Sequence, residues 1–325
     1  MKSSTLLHKG QDGALIHVYH WSPDYEIGRG IVHLVHGLSE HAGRYESLAE
    51  ELTSEGYQVF AHDQRGHGRS VTGNDQFGFV ADNDGWRLLV GDLVELALAE
   101  QQQYPQLPFY LFGHSMGTWV VQQLLIQEPA LADAAILSGP NGEVGLLTRI
   151  GRLIARIERL RQGRHGRSDV INSLSFAAFN RRFAPNRTSF DWLSRDEQAV
   201  DRYIADSCCG FIATNQFWVD LLDAIVDIAS PESRSKIRRD LPIYIFSGRN
   251  DPVNRQGRGA EYLAETFRSM GIRNVSYRVY PQARHETLNE LNRDEVIGHI
   301  TEWLDCLRAY QRASHHPVPE PENEG

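Results

Sequence analysis

Gly113-His114-Ser115-Met116-Gly117 sets a serine between two glycines. It follows the apolar run Phe109 to Phe112 and precedes an apolar helical pattern beginning at Thr118. That order reads as strand, sharp bend and helix, with G-x-S-x-G at the bend. A serine there is held in a strained backbone geometry. Glycine is required on both sides because a Cβ would strike the neighbouring strand or helix. The hydroxyl is lifted clear of the chain at a helix N-terminus, where the dipole favours developing negative charge. The chemistry on offer is nucleophilic attack by Ser115.

A serine hydroxyl is a weak nucleophile without a base, and the base needs an orienting acid. Asp251 follows the apolar run Ile243 to Phe246, in Arg249-Asn250-Asp251-Pro252-Val253. His285 follows Val275 to Tyr280, in Pro281-Gln282-Ala283-Arg284-His285-Glu286. Each sits in the loop after a strand, in the chain order Ser, Asp, His that this class of site uses. An oxyanion also needs two N–H donors. Met116, next after the nucleophile, supplies one. Leu38, in the loop HLVHGLSEHAGRY after the first buried strand, supplies the other, with Gly37 permitting close approach. His36 shapes this loop. His36, Gly37 and His114 are expected to border the substrate.

These residues require an alternating scaffold. Strands are expected at Ile31 to Val35, Tyr57 to Ala61, Phe109 to Phe112, Ala134 to Leu137, Ile243 to Phe246 and Val275 to Tyr280. Helical periodicities lie at Tyr45 to Thr53, Trp86 to Gln103, Thr118 to Ile126, Gly259 to Met270 and Ile297 to Tyr310. This pattern predicts an α/β fold, a mostly parallel sheet covered on both faces, with ligands at the carboxyl ends of the strands. Residues 1–140 and 218–312 form the expected core. Residues 141–217 break the alternation and read as an inserted helical cap. Between Asn141 and Arg187 stand ten arginines against three acids, and Leu146, Leu147, Ile150, Leu153, Ile154, Ile157 and Leu160 fall at helical spacing. No internal repeat is visible.

The 325 residues carry a net charge of −9, which argues against a nucleic-acid partner. Three cysteines, two of them adjacent (Cys208, Cys209), make neither a disulfide framework nor a metal spacing. His33, His36, His41, His62 and His67, with Asp63, match no H-E-x-x-H or comparable pattern, so no metal is expected. The glycines of DQRGHGRS lack the G-x-G-x-x-G or G-K-[ST] of a phosphate cradle and read as a loop on the site's rim. MKSSTLLHKGQDG has no apolar stretch of signal-peptide length. The expected location is cytoplasmic or peripheral to the inner membrane. The polar, Pro-rich residues 313–325 are expected to be a disordered tail.

HGLSEH-GRY, DQRGHGRS, GHSMG, SGRNDPV and PQARHETLNE, in that order, resemble the monoglyceride lipase and lysophospholipase branch of the α/β-hydrolases. The resemblance runs from about Gly13 to Tyr310. Within the branch, FNRRFAPN, DWLSRD and VDRYIADSCCGF resemble the bacterial lysophospholipase L2-like group. It implies the α/β-hydrolase fold, with nucleophile at Ser115, acid at Asp251, base at His285 and oxyanion donors at Leu38 and Met116. Monoglyceride lipases usually have glycine after the equivalent of Leu38, where this chain has Ser39.

The expected function is serine-dependent hydrolysis of esters of single-chain lipids without a cofactor. Lysophospholipid is the first substrate, and monoacylglycerol or a general carboxylic ester the alternative. The cap's apolar stripe would line an acyl tunnel or rest on a lipid surface, and its arginines would meet phosphate head groups. The scaffold also hosts aminopeptidases, thioesterases, acyltransferases and C–C hydrolases. Dehalogenases and epoxide hydrolases use a carboxylate where Ser115 stands. A non-catalytic ligand receptor on the same fold is the remote alternative. Oligomeric state is left open.

Overall fold

The six apolar runs become the parallel part of a single sheet. The structure, a computed structural model, describes residues 1–25, 28–141 and 144–315, with side chains through 309. Its strands are β1 (Lys2–Lys9), β2 (Leu15–Ser22), β3 (Gly30–Val35), β4 (Tyr57–His62), β5 (Phe109–His114), β6 (Ala134–Ser138), β7 (Ile243–Gly248) and β8 (Val275–Tyr280). They lie in the order β1-β2-β4-β3-β5-β6-β7-β8. The β1–β2 and β2–β4 pairs are antiparallel, and every pair from β4–β3 to β7–β8 is parallel. The β1–β2 hairpin lies outside the six expected strands. Nearly every residue of β1 is exposed, so it lacks the buried face that makes a strand legible.

Helices α1 (Glu46–Ser54), α2 (Gly85–Gln103) and α3 (Met116–Gln127) connect the strands of the first half. Between β6 and β7, which are neighbours in the sheet, the chain makes a helical excursion. It holds α4 (Leu146–Gln162), α5 (Asp169–Leu174), α6 (Phe176–Asn180), α7 (Glu197–Ala205), α8 (Asn215–Ile228) and α9 (Pro231–Arg234). Helices α10 (Arg258–Ser269) and α11 (Arg293–His315) complete the chain. The expected tail overlaps α11 at 313–315, and its remainder from 316 lies outside the described residues.

Strand pleating divides the core in two. Ile31 and Val35 of β3 join Leu93 of α2, Val120 and Leu124 of α3 and Phe267 of α10 on one face. Val32 and Leu34 join Leu48 and Leu52 of α1 and Ile300 and Leu304 of α11 on the other. Burial on both faces explains why these strands read as continuous apolar runs rather than alternating ones.

Two features of the excursion depart from expectation. Helix α8 runs straight through the expected boundary at 217/218. It packs against α4 on one side and α2 and α3 on the other, and its Phe217 and Leu221 cluster with Met116. Helix α4 presents its apolar stripe outward. Leu146, Leu147 and Leu160 are 72%, 75% and 84% exposed, while its buried residues are Ala155 and Glu158. Glu158 accepts hydrogen bonds from Ser168 (2.6 Å) and Arg161 (2.7 Å), which satisfies its buried carboxylate. The stripe therefore lines no tunnel. Among the described residues, no helix is long and apolar enough to cross a membrane.

Candidate active site

Ser115 stands between β5 and α3 with φ 51° and ψ −117°, a conformation L-residues rarely hold. Its surroundings fix it there. The Ser115 N–H donates to the Ser138 carbonyl of the adjacent β6 at 2.9 Å, and its carbonyl accepts from the Thr118 N–H at 3.0 Å. A Cβ on Gly113 would lie 2.6 Å from the Gly117 carbonyl oxygen, and one on Gly117 would collide with the Val35 carbonyl of β3. Both glycines are thus demanded by backbone crowding.

The loops after β7 and β8 are joined by main chain. Arg249 N–H donates to the Tyr280 carbonyl and Asn250 N–H to the Ala283 carbonyl, each at 2.9 Å. Gly248 permits this, because a Cβ there would strike the Ala283 and Arg284 carbonyls. The result brings the three side chains together. His285 Nε2 lies 2.9 Å from Ser115 Oγ, and His285 Nδ1 lies 2.8 Å from Asp251 Oδ2. Asp251 is fully buried, and its other oxygen accepts from the Val253 N–H at 2.8 Å. That partner fixes the carboxylate's orientation toward the imidazole. The geometry permits proton transfer from hydroxyl to imidazole and stabilisation of the resulting imidazolium.

Burial works to lower the basicity of His285. The charge and hydrogen bond of Asp251, with smaller help from Glu286 and Glu40, overcome it and raise the pKa above the ordinary value. Trp192 covers the imidazole, with ring centroids 5.1 Å apart at 32°. Its carbonyl accepts from the His285 N–H at 3.4 Å, and Leu193 accepts from the Glu286 N–H at 2.8 Å. The excursion is therefore attached directly to the histidine loop. Nothing around Trp192 in the sequence marked it for this place.

Leu38 and Met116 flank the elbow. Met116 opens α3, where its N–H has no intrahelical acceptor. Gly37 backs onto Ser115 so closely that a Cβ would lie 3.2 Å from the serine's own. Ser39 has φ 60°, the left-handed region that glycine enters freely, which accounts for the glycine usual at that place. It is held by the excursion: its hydroxyl donates to the Phe211 carbonyl (2.7 Å), and its carbonyl accepts from Tyr203 Oη (2.8 Å) and the Gly210 N–H (3.0 Å).

The expected substrate-bordering roles of His36 and His114 need correction, because both rings are buried. His36 Nδ1 donates to the Gly37 carbonyl at 2.7 Å, and Nε2 accepts from the Gln64 N–H at 3.0 Å, so the ring braces the loop. His114 Nδ1 pairs with Ser138 Oγ at 3.1 Å, and burial, aided by nearby His285, lowers its pKa to about 3. A neutral His114 supports the site without titrating.

Among the described residues, one group could hold a metal: His41, Asp206 and Cys209, whose donor atoms lie within 4.8 Å of one another. His41 Nε2 already bonds Asp206 at 2.8 Å, and burial raises the Cys209 thiol pKa well above its ordinary value, keeping the sulfur protonated. The group contains none of the three residues of the relay.

Five of the ten arginines between Asn141 and Arg187 make side-chain pairs within the fold. Arg152 and Arg156 pair with Asp223, Arg159 with Gln216 at 3.1 Å, Arg161 with Glu158, and Arg164 with Asn83 at 2.8 Å. They hold the excursion's own elements together and to the core.

A mostly parallel sheet carrying a serine elbow defines an α/β-hydrolase. A family model described as serine aminopeptidase, S33, matches residues 27–292, and the chain belongs to that family, on its monoglyceride lipase branch. The chain is 28% identical over 293 residues to a monoacylglycerol lipase of Mycolicibacterium smegmatis, covering 87% of this chain and 90% of the relative. It is 27% identical over 294 residues to the monoglyceride lipase of Mus musculus, covering 86% of each. A crystal structure of a highly thermostable carboxyl esterase from Bacillus coagulans, in complex with glycerol, superposes with a TM-score of 0.86 at 25% identity, over 95% of this chain and 99% of that one.

Proposed function

We propose that the protein hydrolyses the ester bond of single-chain lipids, with monoacylglycerol the preferred class, through a Ser115–His285–Asp251 triad. The observation that carries this reading is the two-bond relay at the elbow, 2.9 Å and 2.8 Å. Ser115 Oγ attacks the ester carbonyl as His285 Nε2 accepts its proton, and Asp251 stabilises the imidazolium. The N–H groups of Leu38 and Met116 hold the oxyanion. His285 returns the proton to the departing glycerol oxygen. Water, deprotonated by the same imidazole, then releases the fatty acid and restores Ser115.

The arginines bear on the head group. Five of the ten between Asn141 and Arg187, Arg152, Arg156, Arg159, Arg161 and Arg164, are engaged with Asp223, Gln216, Glu158 and Asn83, which favours a substrate without a phosphate. An uncharged glycerol head group fits better, so lysophospholipid moves to second place. Two relatives named monoacylglycerol or monoglyceride lipase support the same order. A Bacillus subtilis relative, 23% identical, is named a phospholipase and keeps lysophospholipid as the second reading. A peptide substrate would need a carboxylate for its terminal ammonium. Asp251 is bonded to His285, and Glu40 and Glu286 are both paired with Arg44.

The outward stripe of α4 suits a lipid surface. The excursion serves as a cap whose leucines enter the interface. Monoacylglycerol then passes from the bilayer to Ser115 beneath the cap.

Turnover of monoacylglycerols, lysophosphatidyl lipids and short p-nitrophenyl esters tests the proposal, alongside labelling by a fluorophosphonate. Labelling at Ser115, loss on the order of 10⁴-fold or more in Ser115→Ala, and preference for monoacylglycerol are expected. An unlabelled Ser115 would remove the nucleophile. Preference for the short esters would remove the lipid reading.

A further inference from the structure

The two halves of the site, oxyanion loop and histidine loop, follow β3 and β8, and β5, β6 and β7 lie between those strands. No sheet hydrogen bond can set one loop against the other. A buried chain of side chains spans the distance. Arg44 donates through both guanidinium ends to Glu286, at 2.7 and 2.6 Å, and through Nη1 to Glu40 Oε2 at 2.6 Å. Glu40 Oε1 in turn accepts the Gly37 N–H at 2.7 Å and the Tyr45 hydroxyl at 3.0 Å. Glu286 is the residue after His285, and Gly37 the residue before Leu38. We infer that Glu286–Arg44–Glu40 is a positioning strut that fixes the oxyanion loop relative to the catalytic imidazole. The inference rests on the triad reading above and adds three residues to it.

The chemistry of the strut is demanding. Two carboxylates share one guanidinium, and all three side chains are at most 13% exposed. Burying such a group is costly, and removing one member leaves an uncompensated charge, so it is weak evidence for stability. Its placement supplies a better reason. A planar, bidentate fork defines angle as well as distance, which a lysine cannot do. Burial opposes ionisation of Glu286, but Arg44 overcomes it and lowers the pKa to about 2. Burial outweighs Arg44 at Glu40 and raises it. Glu286 is the firmly ionised end, beside the imidazole, and Glu40 grips the amide of the oxyanion loop. The Tyr203 ring of the cap lies over Arg44, 4.8 Å from the guanidinium carbon, and covers one side of the strut.

The groups facing His285 are Asp251 from the loop after β7, His114 at the end of β5, Glu286 beside it, and Glu40 with Arg44 from the loop after β3. His114 is held neutral, so Glu286, Glu40 and Arg44 form the charged surroundings other than Asp251. Replacing Glu286 with glutamine removes a negative charge that favours the imidazolium. The acid limb of the kcat/KM profile should then move to lower pH.

Three variants test the strut, with labelling of Ser115 in the unaltered enzyme as reference. Arg44→Lys keeps the charge and loses the fork: kcat should fall about 10- to 100-fold with KM little changed and the acid limb in place. Glu286→Gln should move that limb down by roughly half a pH unit or more. Glu40→Gln, whose amide oxygen can still accept the Gly37 N–H, should retain about tenfold more kcat than Glu40→Ala. Wild-type kcat and an unmoved limb in folded Arg44→Lys and Glu286→Gln would overturn the strut while leaving the triad intact. Should Arg44→Lys fail to fold, the isosteric Glu286→Gln limb decides. Failure of the reference enzyme to label at Ser115 would instead overturn the triad.

Discussion

Trp192 and His285 are linked twice, ring over ring at 5.1 Å and carbonyl to N–H at 3.4 Å. The tryptophan belongs to the excursion and the histidine to the loop after β8, so two contacts join the excursion to the imidazole. Phe176 stacks on the indole at 5.7 Å, and Phe179 packs at 5.4 Å. The indole is therefore held against the imidazole by aromatic packing.

Trp192→Ala should loosen both. Removing a side chain only 4% exposed leaves a cavity expected to cost about 3 kcal/mol or more in denaturant unfolding. The freed imidazole should lower kcat toward small esters by about tenfold. Unchanged stability and kcat would show that the indole only covers the site.

In the proposed triad the imidazole must be neutral to accept the Ser115 proton. Activity should therefore rise with pH through the pKa of His285, with a midpoint above the ordinary 6.5 because Asp251 favours the charged form. Stability runs the opposite way for this group. A raised folded-state pKa contributes stability fully present below 6.5 and lost as pH rises through the folded value. Glu286, lowered to about 2, contributes stability present above about 4.5 and lost as pH falls toward 2. Titration of kcat/KM and of the urea midpoint checks the signs. In Asp251→Asn the kcat should drop by about 10⁴-fold, the histidine then holding the wrong tautomer.

Gly117→Ala should be poorly tolerated although alanine is the better helix former. Its Cβ would meet the Val35 carbonyl, and strand β3 has no room to yield because its residues are buried on both faces. A loss of about 3 kcal/mol or more is expected in urea unfolding. An increase in stability would mean that the close approach of elbow and strand is misplaced.

Leu147→Asp with Leu160→Asp probes the outward face of α4. Both side chains are at least three-quarters exposed, so unfolding stability should change by less than about 0.5 kcal/mol each. Vesicle binding should weaken by about tenfold or more per leucine withdrawn from the interface. Hydrolysis of a soluble short ester should stay level. Equal vesicle binding by the variant would remove the membrane-facing role of this helix.

Local grammar sufficed for much of this molecule. Gly113, Ser115 and Gly117 announce an elbow because backbone crowding admits only those residue sizes, and apolar runs at regular intervals announce strands buried on both faces. Asp251 and His285 were legible from their places after successive strands. The β1–β2 hairpin was not, since an exposed edge strand carries little hydrophobic pattern. Direction is what periodicity cannot encode: the stripe of α4 is equally visible whether it faces core or solvent, and only packing against α8 decided that Glu158 goes in and Leu160 out. The same holds for Arg44 and Trp192. Glu40 is only four residues from Arg44, but Glu286 and His285 come from chain positions far away, and long-range packing brings the second carboxylate to the guanidinium and the imidazole to the indole.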